Sequence, residues 1–149
     1  MGAYYAGPRN ARVGAFRSGL EDKNAKHMEK LGVKYDFEKF HIKYVVPARD
    51  ATYTPDFVLA NGIIVECKGI FETEDRKKHL LIREQYPEID IRLVFSNSNS
   101  KIYKGSPTSY ADWCRKYNIQ FADKLVPRDW LKEARKEIPQ GVLVPKKGG

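Results

Sequence analysis

Three residues in the middle of the chain have the types and spacing that hydrolysis of a phosphodiester bond requires. Nine residues separate Asp56 from Glu66, and Lys68 follows Glu66 by two positions. Magnesium prefers oxygen ligands and is commonly held by one or two carboxylates together with phosphate oxygens and water. A lysine beside such an ion can orient or deprotonate the attacking water, or stabilise the charged transition state. The pattern therefore predicts a Mg²⁺-dependent hydrolytic site, and the alternative is a solvated strand face beside a turn.

The turn between the two carboxylates decides whether they can meet. A two-residue loop at Asn61-Gly62 would place Asp56 and Glu66 on opposite faces of the hairpin. A three-residue loop that starts at Ala60, with Gly62 in the left-handed region, places Asp56 directly opposite Glu66. Glu66 and Lys68 share a face in either case, because side chains alternate along a strand. The hypothesis of a metal site therefore predicts the three-residue loop.

The elements that position these residues follow from capping signals and from the periodicity of apolar residues. Ser18 to Glu21 has the form of a capping box, so Glu21 is by itself most simply read as a capping carboxylate. The alternation of the first strand slips at Glu38-Lys39, which indicates a bulge or a break. The predicted elements, in chain order, are a helix 18–31, strands 33–46, 52–59 and 63–68, a helix 73–85, a strand 89–95, a helix 107–117, an apolar run 119–126 and a last helix near 129–137. The order α-β-β-β-α-β-α is typical of a mixed α/β sandwich.

Charge and length set the class of the protein. The chain has 149 residues, the size of one ordinary domain, and a net charge of +8 with pI about 9.4 suggests a polyanionic partner. Arg9, Arg12 and Arg17 lie in a glycine-containing N-terminal stretch without acidic residues. We therefore expect a flexible basic arm over residues 1–16, a nuclease domain over 17–138 and a disordered basic tail over 139–149. The alternative for the arm is a solubilising tail.

The cysteines and the hydropathy of the chain exclude several other classes. Cys67 and Cys114 form neither a disulfide framework nor a zinc motif, so reduced thiols are expected. No stretch has the roughly 20 apolar residues of a membrane span, and the N-terminus does not resemble a signal peptide. The sequence therefore predicts a soluble, intracellular protein.

Longer stretches of the sequence resemble a known family. Four runs carry the resemblance: residues 14–23 (GAFRSGLEDK), 53–57 (YTPDF), 75–85 (DRKKHLLIREQ) and 104–110 (KGSPTSY). The motif and the element order are similar to those of the PD-(D/E)XK nuclease superfamily. Within it, residues 12–137 resemble the bacteriophage endonuclease I family, whose members resolve Holliday junctions.

The resemblance implies a restriction-endonuclease-like fold and roles for individual residues. Asp56, Glu66 and the main-chain carbonyl of Cys67 would hold a metal ion, and Lys68 would serve the nucleophilic water. Glu21 would be a fourth active-site residue and would bind a second ion, in place of the capping role. The cofactor would be Mg²⁺, with Mn²⁺ able to substitute and two ions in each active site. Cys67 stands where a threonine is expected, with its side chain facing away from the metal.

The resemblance also implies an assembly, a substrate and a location. The family forms an intertwined, domain-swapped homodimer, in which residues 46–50 would be the bridge and Glu21 would complete the active site of the partner. The substrate would be branched double-stranded DNA, above all four-way junctions, cut in two opposing strands. The location would be the cytoplasm of an infected bacterial host.

Basic side chains elsewhere are candidates for contacts with DNA. In addition to the three arginines of the arm they are Arg76, Lys77, Lys78, His79, Arg83 and Lys104. A solvated helix face explains each of those on the 73–85 helix nearly as well. Two other functions stay open at this point: another PD-(D/E)XK nuclease of the restriction or repair type, and a non-catalytic protein that binds branched DNA.

Overall fold

The computed structural model of the protein describes residues 11–12, 16, 18–46 and 49–146. Its helices are α1 (Gly19–Lys30), α2 (Thr73–Gln85), α3 (Tyr110–Lys116) and α4 (Arg128–Leu131). Its strands are β1 (Ala11–Arg12), β2 (Tyr35–Phe37), β3 (Phe40–Val46), β4 (Arg49–Tyr53), β5 (Phe57–Leu59), β6 (Ile64–Lys68), β7 (Ile91–Phe95), β8 (Phe121–Asp123) and β9 (Val144–Pro145). The predicted mixed α/β class is confirmed, since a mixed sheet is flanked by helices.

The strands form two sheets. The larger sheet has six strands in the order β1-β2-β5-β6-β7-β8, and the smaller has three in the order β4-β3-β9. In the larger sheet β6, β7 and β8 run parallel, whereas β5 is antiparallel to both β2 and β6. The predicted slip in the first strand is a true break: Glu38 has φ 51, and the chain leaves one sheet there and enters the other.

The alternation along β6 divides the apolar core between the two faces of the larger sheet. Val65 and Cys67 pack on one side with Ala25 and Met28 of α1. Ile64 packs on the other side with Ile82 of α2 and Ile42 of the smaller sheet. The prediction of Cys67 as a small buried apolar residue is confirmed, because its side chain lies in the core opposite to the face of Glu66.

The helix at 107–117 starts later than its proline suggests. The side chain of Ser109 accepts a hydrogen bond from the backbone of Asp112, and Asp112 reciprocates, so this capping box starts α3 at Tyr110. The last predicted helix is also too long, since α4 ends at Leu131. Asn61 donates to the carbonyls of Trp130 and Glu133, which gives those carbonyls partners outside the helix.

The chain after Pro139 was predicted to be a disordered tail, and this is wrong for residues 139–146. Val144 and Pro145 form β9, which pairs with His41 and Phe40 of β3. Val142 is buried in the core between α2 and the smaller sheet. The apolar residues in 142–144 pack against the domain, although basic and glycine residues follow them in the sequence. Residues 147–149 lie outside the described part of the chain.

The N-terminal arm is described only in part. Ala11 and Arg12 pair with β2, and the ring of Phe16 lies 4.4 Å from that of Phe37, measured between centroids. These residues thus join the nuclease domain, although the sequence predicts that a flexible arm extends to residue 16. The remaining residues of the arm lie outside the described residues. Within the described residues, no helix combines the length and apolar character needed to cross a bilayer.

Candidate active site

The hairpin formed by β5 and β6 places the two central carboxylates opposite each other. Phe57 pairs with Val65, and one further step in the same register sets Asp56 opposite Glu66. The loop is the three-residue form: the backbone of Leu59 bonds to that of Ile63, and Gly62 has φ +91. The register predicted from the sequence is confirmed.

Glycine is required at position 62 by its positive φ and also by a close contact with another segment. A Cβ atom at position 62 would lie 2.2 Å from the carbonyl oxygen of Lys136, so any side chain would push that segment away. The backbone of Lys136 also donates to the carbonyl of Asn61 at 2.7 Å. The segment after α4 therefore locks the turn that sets the register of the site.

Hydrogen bonds fix the orientation of both carboxylates. The backbone N–H of Cys67 donates to Asp56 Oδ2 at 2.9 Å. Glu66 Oε1 accepts two bonds, one from the backbone of Asp56 at 3.2 Å and one from the hydroxyl of Tyr53 at 2.8 Å. Both carboxylates are buried, with exposed fractions of 5% and 7%. No role for Tyr53 was predicted from the sequence, although it lies in the same YTPDF run as Asp56.

Two further carboxylates meet Asp56 from the other side. One carboxylate oxygen each of Glu21, Glu38 and Asp56 lie within 4.8 Å of one another. Glu21 lies in the first turn of α1, where its backbone N–H donates to the capping hydroxyl of Ser18. Glu38 occupies the break between β2 and β3 and is 4% exposed. Glu38 was missed by the sequence reasoning, and the only signal for it was the slip in alternation at that position.

Burial and neighbouring negative charges make Asp56 resist ionisation, and burial does the same for Glu66. Burial raises the pKa of Asp56, and the negative charges of Glu66, Glu21 and Glu38 raise it further against the effect of the Cys67 N–H. Burial also raises the pKa of Glu66, although Lys68 and the Tyr53 hydroxyl oppose the shift. A cation placed among these oxygens would favour their ionised forms.

Lys68 lies at the edge of the same group. Its Nζ is 3.2 Å from Asp75 Oδ1 in α2 and 3.9 Å from Glu66 Oε2. Partial burial would lower the pKa of the ammonium, but the charges of Glu66 and Asp75 raise it overall. The arrangement thus holds a protonated lysine beside the acids. Asp75 is a second contact that the motif did not reveal.

Comparison with known proteins decides the family. The family model described as phage endonuclease I matches residues 1–149. Endonuclease I of Escherichia phage T7 is 60% identical over 138 residues, which are 93% of this chain and 92% of the relative. Endodeoxyribonuclease 1 of Enterobacteria phage T3 is 58% identical over 147 residues, which are 99% of this chain and 95% of the relative. The chain belongs to the phage endonuclease I family. It is therefore an endonuclease, as the resemblance in the sequence implied.

The acids of this phage endonuclease I family member fit a divalent metal. Carboxylate oxygens are the ligands that Mg²⁺ and Mn²⁺ prefer, and three of them from different elements converge within 4.8 Å. Asp56, Glu21 and Glu38 form this converging set, with Glu66 joined to Asp56 through a backbone hydrogen bond. The acidic group can therefore hold a metal ion, and its composition favours a hard one.

The basic side chains of α2 differ in their ability to reach DNA. His79 is fully buried, and Arg76 is 8% exposed, with its guanidinium bonded to the carbonyls of Phe71 and Ile102. Arg83 is partly buried and donates to the carbonyl of Ile91. The prediction that these three residues contact DNA conflicts with their positions, because positions 76, 79 and 83 share the inner face of the helix.

The other basic candidates lie at the surface or outside the described residues. Lys77 is exposed, and Lys78 Nζ lies 5.6 Å from the centroid of the Tyr53 ring, next to the acids. Lys104 is exposed on the loop after β7. Arg9 and Arg17 lie outside the described residues, and only the backbone of Arg12 is described.

Proposed function

We propose that the protein is a Mg²⁺-dependent endodeoxyribonuclease that hydrolyses phosphodiester bonds in branched DNA, above all in four-way junctions. The observation that carries the proposal is the buried acidic group beside Lys68, in a chain of the phage endonuclease I family. One relative is named an endodeoxyribonuclease, which supports DNA as the substrate. The action would take place in the cytoplasm of an infected bacterial host.

The proposal assigns the acids to two metal ions. Asp56, Glu66 and the carbonyl of Cys67 would hold the first ion, and Glu21 would hold the second. Glu38 joins this set, because its carboxylate lies with those of Glu21 and Asp56. Mg²⁺ when bound lowers the pKa of a ligated water and offsets charge on the phosphoryl group, and Mn²⁺ would substitute for it.

The protein side chains supply orientation and a fixed positive charge. Tyr53 and the backbone of Asp56 hold Glu66 Oε1, so the carboxylate keeps one orientation. Asp75 and Glu66 keep the proton on Lys68 Nζ, as the direction of its pKa shift indicates. Lys68 therefore acts as a donor to the attacking water or to a phosphate oxygen, and it stabilises negative charge as that charge develops.

Surface lysines and the N-terminal arm would bind the DNA backbone. Lys77, Lys78 and Lys104 are exposed or lie at the surface and would meet phosphates, and Arg9, Arg12 and Arg17 would extend the contact. Each phosphate neutralised should lower log K by about 0.9 per unit of log salt concentration. Titration of binding against salt measures the number of such contacts.

A domain-swapped homodimer is part of the proposal. Strands β3 and β4 pair antiparallel as far as Val46 and Arg49. Residues 47–48 lie outside the described residues. Opening this hairpin over the proposed bridge 46–50 would let residues 18–46 pack on a second chain with the contacts unchanged. Glu21 and Glu38 would then enter the site built by Asp56, Glu66 and Lys68 of that chain.

Cross-complementation tests the shared site. Co-refolding of Glu21→Ala with Lys68→Ala would give about half heterodimers if mixing is random, each with one intact and one doubly altered site. These heterodimers should nick a junction in one strand, whereas the two variants refolded apart and then mixed should remain inactive. Verified heterodimers that fail to nick would contradict the shared site and leave the nuclease proposal intact.

Cleavage of a synthetic four-way junction tests the function itself. The protein should cut two opposing strands with Mg²⁺ and none with EDTA, and junctions with different arm sequences should be cut equally well. A linear duplex of one arm sequence is the matched control, and it should be cut far more slowly. Equal cleavage of duplex and junction would contradict the branched substrate, and cleavage in EDTA would contradict the metal.

A further inference from the structure

Two large apolar side chains stand in solvent next to the active site. Ile70 follows Lys68 by two residues and is 72% exposed, and Tyr103 on the loop after β7 is 61% exposed. Both line one open depression of about 400 Å³, whose rim also carries Lys101 and Lys104. We call Ile70, Lys101, Tyr103 and Lys104 the rim platform.

The two segments that carry the rim platform are connected by the side chain of Arg76. The guanidinium of Arg76 donates to the carbonyl of Phe71, next to Ile70, at 2.6 Å and to the carbonyl of Ile102, next to Tyr103, at 3.2 Å. One buried side chain thus ties together the two segments that carry the exposed apolar residues. This contact directs the Arg76 guanidinium towards the protein backbone.

The rim platform is continuous with the active site. Asp75 accepts a hydrogen bond from Lys68 Nζ through Oδ1 and one from the backbone of Glu72 through Oδ2. Glu72 and Thr73 line the same depression as Ile70. Because two residues span at most about 7 Å, the Cα atom of Ile70 lies within roughly that distance of the Cα atom of Lys68.

The chemistry of the rim platform fits one feature of DNA. In a continuous duplex the flat faces of the bases are stacked on each other and closed to a side chain. In a four-way junction whose arms are unstacked, as in the absence of divalent ions, the terminal base pairs at the branch point have open faces beside the phosphate backbones. An aromatic ring and a branched apolar side chain suit the base face, and flanking lysines suit the phosphates.

We propose that Ile70 and Tyr103 contact the open base faces at the branch point of the substrate, while Lys101 and Lys104 bind the adjoining phosphates. This inference rests on the proposed function. It assigns selectivity for branched over linear DNA to the two apolar residues and assigns general affinity to the two lysines. Ile70 and Tyr103 are therefore specificity-determining residues and leave the chemical step unchanged.

Binding measurements with the full chain in EDTA test the assignment. Wild type, Ile70→Ser/Tyr103→Ser and Lys101→Ala/Lys104→Ala are compared on a four-way junction and on a linear duplex of one arm sequence. The first variant should lose about tenfold in junction affinity, with duplex affinity unchanged. The second should lose affinity for both DNAs and show a shallower salt dependence. Leu125→Ser, which alters another half-exposed apolar residue, is the matched control and should behave as wild type.

A fluorescent base analogue reports the contact directly. With 2-aminopurine at the branch point, wild type should change the fluorescence on binding, and Ile70→Ser/Tyr103→Ser should not. Unchanged junction preference in that variant, with wild type selective, would overturn the inference alone. Loss of dimerisation in the variant without loss of selectivity would show that a second copy covers the surface, and would also overturn it. A wild type that shows no preference for the junction would overturn the proposed function as well.

Discussion

Two clusters of charged side chains in this protein contain buried groups, and they are balanced in opposite ways. Arg92 is 1% exposed and bonds to both Asp90 and Glu133, and Lys136 reaches the same two carboxylates at 3.3 Å. Two cations and two carboxylates thus satisfy one another. The second cluster gathers Glu21, Glu38, Asp56 and Glu66, with Lys68 shared with Asp75.

The pKa values express the same contrast. Hydrogen bonds from Arg92 lower the pKa of Glu133 to about 2, so this carboxylate gains from being charged in the folded protein. Burial and repulsion instead raise the pKa of Asp56. A cluster in which cations and carboxylates pair with one another stabilises the fold, whereas a cation bound among the oxygens of the acidic cluster would reduce their repulsion. A substitution in the acidic cluster should therefore alter DNA cleavage, whereas a substitution in the cluster around Arg92 should alter stability.

The largest expected effect is on cleavage. Asp56→Asn removes a proposed ligand and should lower junction cleavage by at least about a thousandfold, equivalent to about 4 kcal/mol in the barrier. Its thermal stability should be unchanged or higher, because one repelling charge is lost. Glu133→Gln is the matched control from the balanced cluster and should cut normally but melt at a lower temperature. Normal cleavage by Asp56→Asn would contradict the proposed difference between the two clusters.

The next effect is on stability. Arg92→Met removes hydrogen bonds to Asp90 and Glu133 and should lower the free energy of unfolding by about 2 kcal/mol, measured by urea titration. The loss is limited because both carboxylates are partly exposed and keep Lys136 as a partner. Arg115→Met removes an exposed pair with Asp112 and should cost less than about 1 kcal/mol. Equal losses in the two variants would show that burial does not distinguish the balanced cluster from an ordinary surface pair.

A smaller effect is expected from the hydroxyl that orients Glu66. Tyr53→Phe keeps the ring but removes a bond to a buried carboxylate, so cleavage should fall about tenfold. Tyr35→Phe removes a hydroxyl from another buried tyrosine, which donates to Glu29 at 2.7 Å, and should leave the cleavage rate unchanged. A similar fall in both variants would indicate a general loss of packing instead of a role for Tyr53 in the site.

The centre of the site could be predicted from the sequence because its geometry depends on neighbouring residues of one hairpin. Alternation and a glycine turn were enough to set Asp56 opposite Glu66, and α2 begins and ends at the predicted residues. Glu38 was missed because a residue at a break belongs to no periodic pattern. Its partners are Glu21 in α1 and Asp56 just before β5, and the sequence does not show that these segments meet.

The burial of basic residues on α2 was missed for a similar reason. His79 lies among lysines in the sequence, yet the helical phase turns Arg76, His79 and Ile82 inward together. The prediction of DNA contacts used only the charges along the chain and did not consider which residues of the helix face inward. Order in residues 139–146 depends on an exposed edge of β3 that only the folded smaller sheet provides. The chain itself thus shows where the acids of the hairpin lie, but not which distant segments cover them.

Binding of Mn²⁺ tests most directly whether the acidic cluster is a metal site. Mn²⁺ prefers the same oxygen ligands as Mg²⁺, and its paramagnetic resonance signal falls when it leaves the free hydrated state. Wild type and Glu133→Gln should both remove free Mn²⁺ from solution, with up to two ions for each chain. Asp56→Asn should bind at least tenfold more weakly. Binding by Asp56→Asn equal to that of wild type would contradict the account.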